Sequence, residues 1–337
     1  MPCARQLERV SVTMAIPLFP DTPFVVSESL FVKPRFRGFR LPCRGSGADR
    51  SEMMVMKPIR VHDARALARA PTIDRMGFEL VVAPIGIDYG DHDSVVSRFY
   101  DQCAELVIAA TGCLSARTMQ HEFRVGAPRW PGGAGTYAEK AHADLTPYVE
   151  DVLDIPDGRH FGVYNVWRST DPLRAIESKP LAMCDPSTVS PADMVSSDGR
   201  RLTEPSTRVV LYNLVHDAAQ CWHCFPGMEP DEALIFRQYD SRIEEPACRV
   251  TFHTAFNDPA TRDDAPRRRS VEARVVALFA EDDPPGRKSR YQAEVPTSHP
   301  DGTPSSWRHE RMVDWGVGQG PGFRRHASLH DPATRGP

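Results

Sequence analysis

The most restrictive feature of the sequence is a series of short β-type segments in its second half. Turn residues separate these segments, which span 160–167, 207–215, 233–240, 248–256 and 270–279. Strands that follow one another without intervening helices favour an antiparallel sandwich or barrel over alternating β–α–β units. One helix is predicted before this series, where an apolar face begins after Asp93 and stops at Gly112. The sequence therefore predicts a mainly β fold with flanking helices.

Composition divides the 337-residue chain around this series. Residues 1–55 are rich in Arg, Pro and Ser and lack sustained periodicity, so we expect a poorly ordered N-terminal extension. Residues 56–280 form the predicted β domain. A Pro-, Ser- and Asp-rich segment at 169–205 interrupts it, and we interpret this segment as an insertion over the barrel mouth. Residues 281–337 are polar and predict a loose C-terminal tail.

Charge and composition exclude several classes of protein. The formal net charge is -4 and no basic stripe is visible, so we expect no nucleic-acid partner. No apolar run approaches the roughly 20 residues that span a bilayer, and no clean signal peptide is present. We therefore expect a cytoplasmic protein with no membrane partner. The eight cysteines are dispersed, and Cys221 and Cys224 lack the second ligand pair of a zinc site, which favours a position in a strand.

Two histidines and one aspartate indicate a metal site. In His142-Ala143-Asp144, the first and third residues project to the same side if the segment is extended. His253 lies in a later β segment, from which it can approach across the barrel mouth. Fe(II) that activates dioxygen needs three protein ligands on one face and three open positions, which two imidazoles and one carboxylate provide. We therefore predict that His142, Asp144 and His253 bind Fe(II).

Other residues compete for these roles. About one His-x-Asp is expected by chance in such a chain, and His299-Pro300-Asp301 in the polar tail is a second example, which we treat as noise. His216 is a rival third ligand, but it lies far before the next motif along the chain, and we place it in the substrate pocket instead. Asp240 is a further carboxylate candidate, which we interpret as a residue of a turn at a strand end.

An arginine and a serine open the last β segment, in Arg268-Arg269-Ser270. A guanidinium binds a carboxylate through two parallel hydrogen bonds, and a hydroxyl group adds a third. Arg268 and Ser270 are therefore suited to the distal carboxylate of 2-oxoglutarate. Arg267, Arg269 and Arg274 are competitors for the same role. The order His-x-Asp, His, Arg-x-Ser predicts dioxygen and 2-oxoglutarate as co-substrates.

Seven segments resemble the fungal and bacterial hydroxylase/desaturase family that includes gibberellin desaturase and the cephamycin-methoxylation component. They are GFELV at 77–81, HADLT at 142–146, YNVWR at 164–168, PLAMCD at 180–185, FPGMEPDEALIFRQYDS at 225–241, HTAFNDP at 253–259 and RRSVEAR at 268–274. The resemblance implies a double-stranded β-helix, which is a cupin-like jelly roll. It also implies Fe(II)- and 2-oxoglutarate-dependent hydroxylation, desaturation or ring formation on a small secondary metabolite.

The resemblance carries over to particular residues of this chain. By motif, His142, Asp144 and His253 would bind the iron, and Arg268 with Ser270 would hold the co-substrate. The sequence leaves the substrate, the choice between hydroxylation and desaturation, and the oligomeric state open.

The expected substrate pocket contains Asn165, Arg168, His216 and Trp222. The Trp-Arg-Pro pattern of the family ends in Ser169 here, and its aromatic-rich HrWyyF pattern reads Gln220-Cys221-Trp222-His223-Cys224-Phe225. Because both departures alter a pocket wall, the substrates of the family cannot be transferred.

Two other functions remain open at this stage. The first is an accessory or binding protein of the same fold that serves a partner biosynthetic enzyme, and an intact ligand set argues against it. The second is a metal-independent or zinc-binding cupin-like protein. It is disfavoured because two histidines and one carboxylate suit Fe(II) better than structural zinc.

Overall fold

This computed structural model describes residues 22–41, 50–126, 137–153, 155, 159–200 and 208–280. The strands are β1 (Phe24–Val32), β2 (Met54–Asp63), β3 (Phe78–Val82), β4 (Ser115–Arg124), β5 (His142–Ala143), β6 (Phe161–Ser169), β7 (Leu181–Cys184), β8 (Met194–Arg200), β9 (Arg208–Leu214), β10 (Trp222–Cys224), β11 (Glu232–Asp240), β12 (His253–Ala255) and β13 (Ser270–Leu278). The helices are α1 (Ile73–Met76), α2 (His92–Ser94), a π-helical turn (Val95–Phe99), α3 (Tyr100–Thr111) and α4 (Val149–Val152). Short 3-10 turns lie at Pro34–Phe36, Arg50–Met53, Ala64–Ala66, Pro186–Thr188, Pro191–Asp193 and Pro246–Arg249.

The strands form two sheets that face each other. The larger sheet has the order β1-β2-β10-β7-β12-β5-β9-β8, and the smaller has the order β3-β11-β6-β13-β4. Side chains from both sheets meet in the space between them, where the ring of Phe236 on β11 lies 4.9 Å from the ring of His253 on β12. The predicted mainly β jelly roll is confirmed.

Strand β6 lies at the centre of the smaller sheet and is buried at every position. One of its faces is turned to the larger sheet, and the other packs against α3 through Tyr164 and Val166. The predicted helix is present, with Gly112 in the left-handed conformation as its end. The helical stretch begins with α2, whose N-cap is Asp91, because the Asp91 side chain accepts the hydrogen bond of the Asp93 amide.

The expectation of a poorly ordered segment over residues 1–55 is wrong for 22–41 and 50–55. β1 pairs with β2 along its whole length, and Phe31 on β1 is fully buried. The backbone of Leu30 also bonds to residues 139 and 141, just before β5. The segment therefore belongs to the barrel, because its apolar residues find their partners far along the chain. Residues 1–21 and 42–49 lie outside the described part of the chain.

The segment 169–205 is also not a simple insertion. Its residues 181–184 form β7, an inner strand of the larger sheet between β10 and β12, and residues 194–200 form β8 at the edge of that sheet. All four residues of β7 are buried. The Pro- and Ser-rich composition reflects the turns on either side of these strands, and residues 201–207 lie outside the description. The predicted tail at 281–337 lies outside it as well.

Candidate metal centre

The three predicted metal ligands converge between the two sheets. β5 and β12 are antiparallel, and their pairing places His142 directly opposite His253. The two imidazole rings lie 4.4 Å apart between centroids, and Nε2 of His142 lies 3.4 Å from Oδ1 of Asp144. One ligand atom from each of the three side chains lies within 4.8 Å of the others. Across the described residues, this group is the one found close enough to share a metal ion.

Backbone carbonyl groups orient both imidazoles. Nδ1 of His142 lies 2.8 Å from the carbonyl oxygen of Lys140, and Nδ1 of His253 lies 3.3 Å from that of Thr251. Because a carbonyl oxygen only accepts, each ring carries its proton on Nδ1 and its lone pair on Nε2. Burial, followed by the charge of His142, lowers the pKa of His253 to about 3. His253 is therefore a neutral ring at physiological pH, as a metal ligand must be.

The carboxylate of Asp144 is held on one side by two side chains of the smaller sheet. Its Oδ2 accepts hydrogen bonds from Nη2 of Arg274 at 2.6 Å and from Nδ2 of Asn165 at 3.0 Å. Burial alone would raise the pKa of Asp144, but Arg274 and the two histidines outweigh it and hold this pKa well below its usual range. Asp144 is therefore an ionised ligand. Arg274, a sequence-level competitor for the co-substrate, contacts the ligand carboxylate instead.

A β-bulge supplies a further contact that the sequence did not predict. The register between β11 and β6 shifts between Arg237 and Tyr239, so Gln238 is the extra residue. Its Oε1 accepts a hydrogen bond from the backbone amide of Asp144 at 2.9 Å. Bulges next to active sites commonly re-aim a side chain in this way. No residue pattern in the sequence of β11 marks the bulge.

The predicted co-substrate residues open strand β13. Arg268 and Ser270 are buried, whereas the neighbouring Arg267 and Arg269 are exposed. Within the described part of the chain, Nε of Arg268 and Oγ of Ser270 have no hydrogen-bond partner. Buried polar atoms without a partner are rare and call for an explanation, such as a bound ligand. Nε of Arg268 and Oγ of Ser270 are therefore two buried donors without an acceptor among the described residues.

The guanidinium of Arg268 is enclosed by aromatic rings. Its central carbon lies 4.4 Å from the ring centre of Tyr137 and 5.3 Å from that of Trp167. One of its amino groups donates to the carbonyl oxygen of Lys179. Burial lowers the pKa of Arg268 to about 10. An anion bound here would offset the cost of burying this charge.

Glu272 is a second residue of the site that sequence reasoning missed. It lies on β13 between Ser270 and Arg274, and strand alternation places all three side chains on one face. Burial, followed by the charge of Asp144, raises the pKa of Glu272 to about 7. Glu272 could have been identified from the sequence, because it lies two residues after Ser270 and therefore on the same face of the strand.

The structure separates two residues of the expected substrate pocket. Asn165 contacts Asp144, as described above. Arg168 lies on the opposite face of β6, where it donates to the carbonyl oxygens of Ala83 at 2.8 Å and Pro230 at 2.7 Å. There it lines a different cavity, of about 470 Å³, together with Tyr89. The placement of Arg168 in the pocket is wrong, because it lies three positions after Asn165 and strand alternation turns its side chain to the other face.

His216 and Trp222 also lie away from the three ligands. Nε2 of the half-buried His216 lies 3.0 Å from the carbonyl oxygen of Pro58, and its ring packs edge-on against Phe31. Trp222 packs edge-on against the same Phe31 ring. The next residue, His223, pairs with the β7 residue that also pairs with His253. Trp222 is therefore on the opposite face of the sheet, and both pocket assignments are wrong.

The remaining sequence candidates have structural roles. Asp240 accepts a hydrogen bond from the Tyr164 hydroxyl at 2.9 Å and forms an ion pair with Arg242 at 2.8 Å. Cys224 lies in β10 with Cys221 just before it, and both thiols are free. These findings agree with the strand-end and strand interpretations made from the sequence.

Comparison with known families adds an independent observation to this geometry. The model of the YDMC family, described as an oxidoreductase/YMDC permease-like domain, matches residues 39–278, well over half of the chain. The chain belongs to the YDMC family. Within its described residues, no helix has the length and apolar character that crossing a membrane requires.

Curated relatives of this YDMC family member include proteins named hydroxylase/desaturase. The hydroxylase/desaturase efuI of Hormonema carpetanum is 26% identical over 255 residues, covering 66% of this chain and 84% of its own length. The hydroxylase/desaturase asaB of Aspergillus flavus is 34% identical over 160 residues, covering 43% of this chain and 68% of its own length. These matches confirm the resemblance found in the sequence.

A solved structure confirms the fold. The iron and alpha-ketoglutarate-dependent endoperoxidase NvfI superposes with a TM-score of 0.64 at 24% identity. The superposition covers 76% of this chain and 98% of that one. At this identity, the likeness supports the shared jelly roll and nothing finer.

Proposed function

We propose that this chain is a non-haem Fe(II)- and 2-oxoglutarate-dependent oxygenase that hydroxylates or desaturates a small organic molecule. The curated relatives named hydroxylase/desaturase and Fe(II)/2-oxoglutarate-dependent dioxygenase support this reaction class. The single observation that carries the proposal for this chain is the convergence of His142, Asp144 and His253. Two neutral imidazoles and one ionised carboxylate form the ligand set of non-haem Fe(II) oxygenases, which leaves positions open for co-substrate and dioxygen.

The iron ligands are proposed to be Nε2 of each histidine and Oδ1 of Asp144. These atoms are the ones that the surrounding hydrogen bonds leave available, since both Nδ1 atoms face carbonyl oxygens and Oδ2 is already bonded. When bound, iron and 2-oxoglutarate supply the oxidation of an unactivated substrate bond by dioxygen. The protein orients the ligands, and Phe236 beside His253 adds an apolar wall that limits water.

Arg268 and Ser270 are proposed to hold the distal carboxylate of 2-oxoglutarate. Their unpartnered Nε and Oγ atoms are donors suited to a carboxylate, and both are buried. A carboxylate accepts such donors in charge-assisted hydrogen bonds, which are stronger than neutral ones. The substrate class is proposed to be secondary metabolites, since relatives include an aspirochlorine biosynthesis protein.

The test is an anaerobic titration of the Fe(II)-loaded protein with 2-oxoglutarate. We expect a visible metal-to-ligand charge-transfer band on addition of 2-oxoglutarate, and formation of succinate once dioxygen is admitted. Neither a band nor succinate from the wild-type protein would contradict the proposal and favour the accessory-protein alternative.

The ligand set has its own test. His253→Ala removes one of three protein donors, so Fe(II) occupancy measured by metal analysis should fall strongly. His216→Ala is the matched control, because this half-buried ring bonds to the Pro58 carbonyl and lies away from the site. Equal iron loss in both variants, or retention by His253→Ala, would show that the ligand assignment is wrong.

A further inference from the structure

The side chains of Asp144, Arg274 and Asn165 form a closed hydrogen-bonded triangle. Arg274 donates through Nη2 to Oδ2 of Asp144 at 2.6 Å, and Asn165 donates through Nδ2 to the same oxygen at 3.0 Å. Nε of Arg274 also donates to Oδ1 of Asn165 at 3.3 Å. Arg274 and Asn165 are direct partners in the β13–β6 ladder, so the sheet itself fixes their separation. The two paired strands β13 and β6 therefore fix the positions of both donors to Asp144.

This arrangement treats the two oxygens of Asp144 differently. Oδ2 accepts both donors of the triangle, while Oδ1 is turned to Nε2 of His142 at 3.4 Å. Gln238 holds the backbone amide of the same residue, so both ends of Asp144 are restrained. A rotation that brought Oδ2 toward a metal would break two hydrogen bonds, one of them to a cation.

We propose that Arg274 and Asn165 are positioning residues that restrict Asp144 to binding the metal through Oδ1 alone. This inference rests on the proposed iron site. An octahedral ion with two histidine nitrogens and one carboxylate oxygen keeps three positions open. A carboxylate bound through both oxygens would fill one of them. Because 2-oxoglutarate and dioxygen together need three, single-oxygen binding is a requirement of the reaction.

The charge of Arg274 has a second consequence at the same site. Paired with Asp144, its positive charge offsets the charge of the carboxylate. A divalent ion bound there would then keep most of its charge of two for the dianion 2-oxoglutarate. Opposite charges a few ångströms apart attract each other more strongly in a protein site than in water. Arg274 therefore favours co-substrate binding without contacting it.

The experiment uses Co(II) as the probe metal, because its visible spectrum reports coordination number and it does not turn over. The full-length protein is titrated with Co(II), and the Co(II)-saturated protein is then titrated with 2-oxoglutarate by calorimetry. Arg274→Met removes the donors but keeps the side-chain length. Arg269→Met is the matched control, because this exposed arginine lies on the other side of Ser270.

We expect wild type and Arg269→Met to share one Co(II) spectrum and one affinity for 2-oxoglutarate. Arg274→Met should still saturate with Co(II), but with an altered spectrum and a 2-oxoglutarate affinity lower by roughly tenfold to a hundredfold, because the site loses one positive charge near the co-substrate. Arg274→Lys retains a cationic donor to Oδ2 of Asp144. It should therefore recover part of the wild-type Co(II) spectrum and part of the wild-type affinity for 2-oxoglutarate. Asn165→Ala should change both measurements in the same direction by less.

The outcomes separate this inference from the one on which it rests. Failure of the wild-type protein to bind Co(II) would overturn the proposed metal site and this inference together. Wild-type binding, with an unchanged spectrum and unchanged 2-oxoglutarate affinity in Arg274→Met, would overturn this inference alone. If Arg274→Met does not fold, Asn165→Ala decides by the same two measurements, and wild-type values would count against the proposal.

Discussion

Replacement of Glu272 by Gln tests how the protein tolerates an acid inside its site. Glu272 lies opposite Trp167 on β6 and opposite Glu122 on β4. Burial, and then the negative charge of Asp144, raise the pKa of Glu272 from its usual 4.5 to about 7. The folded protein therefore keeps a proton on this side chain over a pH range in which the unfolded chain has released it.

The sign and size of the effect follow from this difference. Between pH 4.5 and about 7 the folded state binds one more proton, so the free energy of unfolding falls as pH rises through this window. The difference between a pKa of 4.5 and one of about 7 is worth at most about 3 kcal/mol in the free energy of unfolding, since the half-buried side chain keeps some exposure. Glu272→Gln has no proton to lose and should escape this decrease.

The assay is urea unfolding of metal-free protein at several pH values from 4 to 8. The stability of Glu272→Gln relative to wild type should rise with pH through the window and level off above pH 7. At pH 8, the stability gained by Glu272→Gln corresponds to a rise in Tm of up to roughly 5–10 °C for a domain of this size. Glu105→Gln, an exposed position on α3, is the control and should run parallel to wild type. Parallel curves for Glu272→Gln and wild type would refute the reasoning.

Three other substitutions probe the co-substrate site and the fold. Arg268→Lys cannot reproduce a two-pronged carboxylate contact, so the Kd for 2-oxoglutarate should rise roughly tenfold to a hundredfold in calorimetry while iron content stays close to wild type. Phe31→Ala should lower the free energy of unfolding in urea by about 3–5 kcal/mol, and Phe24→Ala, half-exposed on the same strand, by much less. Gly77→Ala should destabilise the protein more than Gly227→Ala in thermal unfolding. Both glycines have positive φ, which costs about 1–2 kcal/mol with a side chain, but only at Gly77 would the added carbon meet a threonine hydroxyl. Equal effects within either pair, or unchanged 2-oxoglutarate affinity, would contradict these expectations.

The cluster of His142, Asp144 and His253 could be predicted from sequence, because it combines scarce residue types with a spacing that places side chains on one face of a strand. His142 and Asp144 are two residues apart, so an extended chain turns both to one side. Arg268 and Ser270 are also two residues apart, so the same spacing turns their side chains to one side. Such pairs need no knowledge of the tertiary structure, and the structure brings both pairs into the space between the sheets.

The pocket assignments were wrong in strands where the sequence does not show which face each side chain lies on. All nine residues of β6 are buried, so hydrophobicity does not reveal that Asn165 faces the metal site and Arg168 faces the helices. In strands covered on both faces, apolar residues run continuously and the alternation that sets direction disappears. Trp222 and His223 in β10 present the same difficulty, since both are buried.

The boundaries of the domain failed for a different reason. β1 is stabilised by β2 and by a stretch just before His142, and β7 is stabilised by β10 and β12. Each of these partners lies elsewhere in the chain, whereas composition describes only the immediate surroundings of a segment. With only four residues, β7 is also too short for an alternation pattern to be recognised.

The order in which the site can assemble follows from the pairing of His142 with His253. About 110 residues separate these partners, and Arg274, which holds the ligand carboxylate, comes later still. Contacts between distant parts of a chain form slowly, because the entropy of closing the loop must be overcome first. During synthesis, nearly the whole domain must leave the ribosome before His253 exists. A metal ion held by His142, Asp144 and His253 would therefore bind after the chain has folded and would not start its folding.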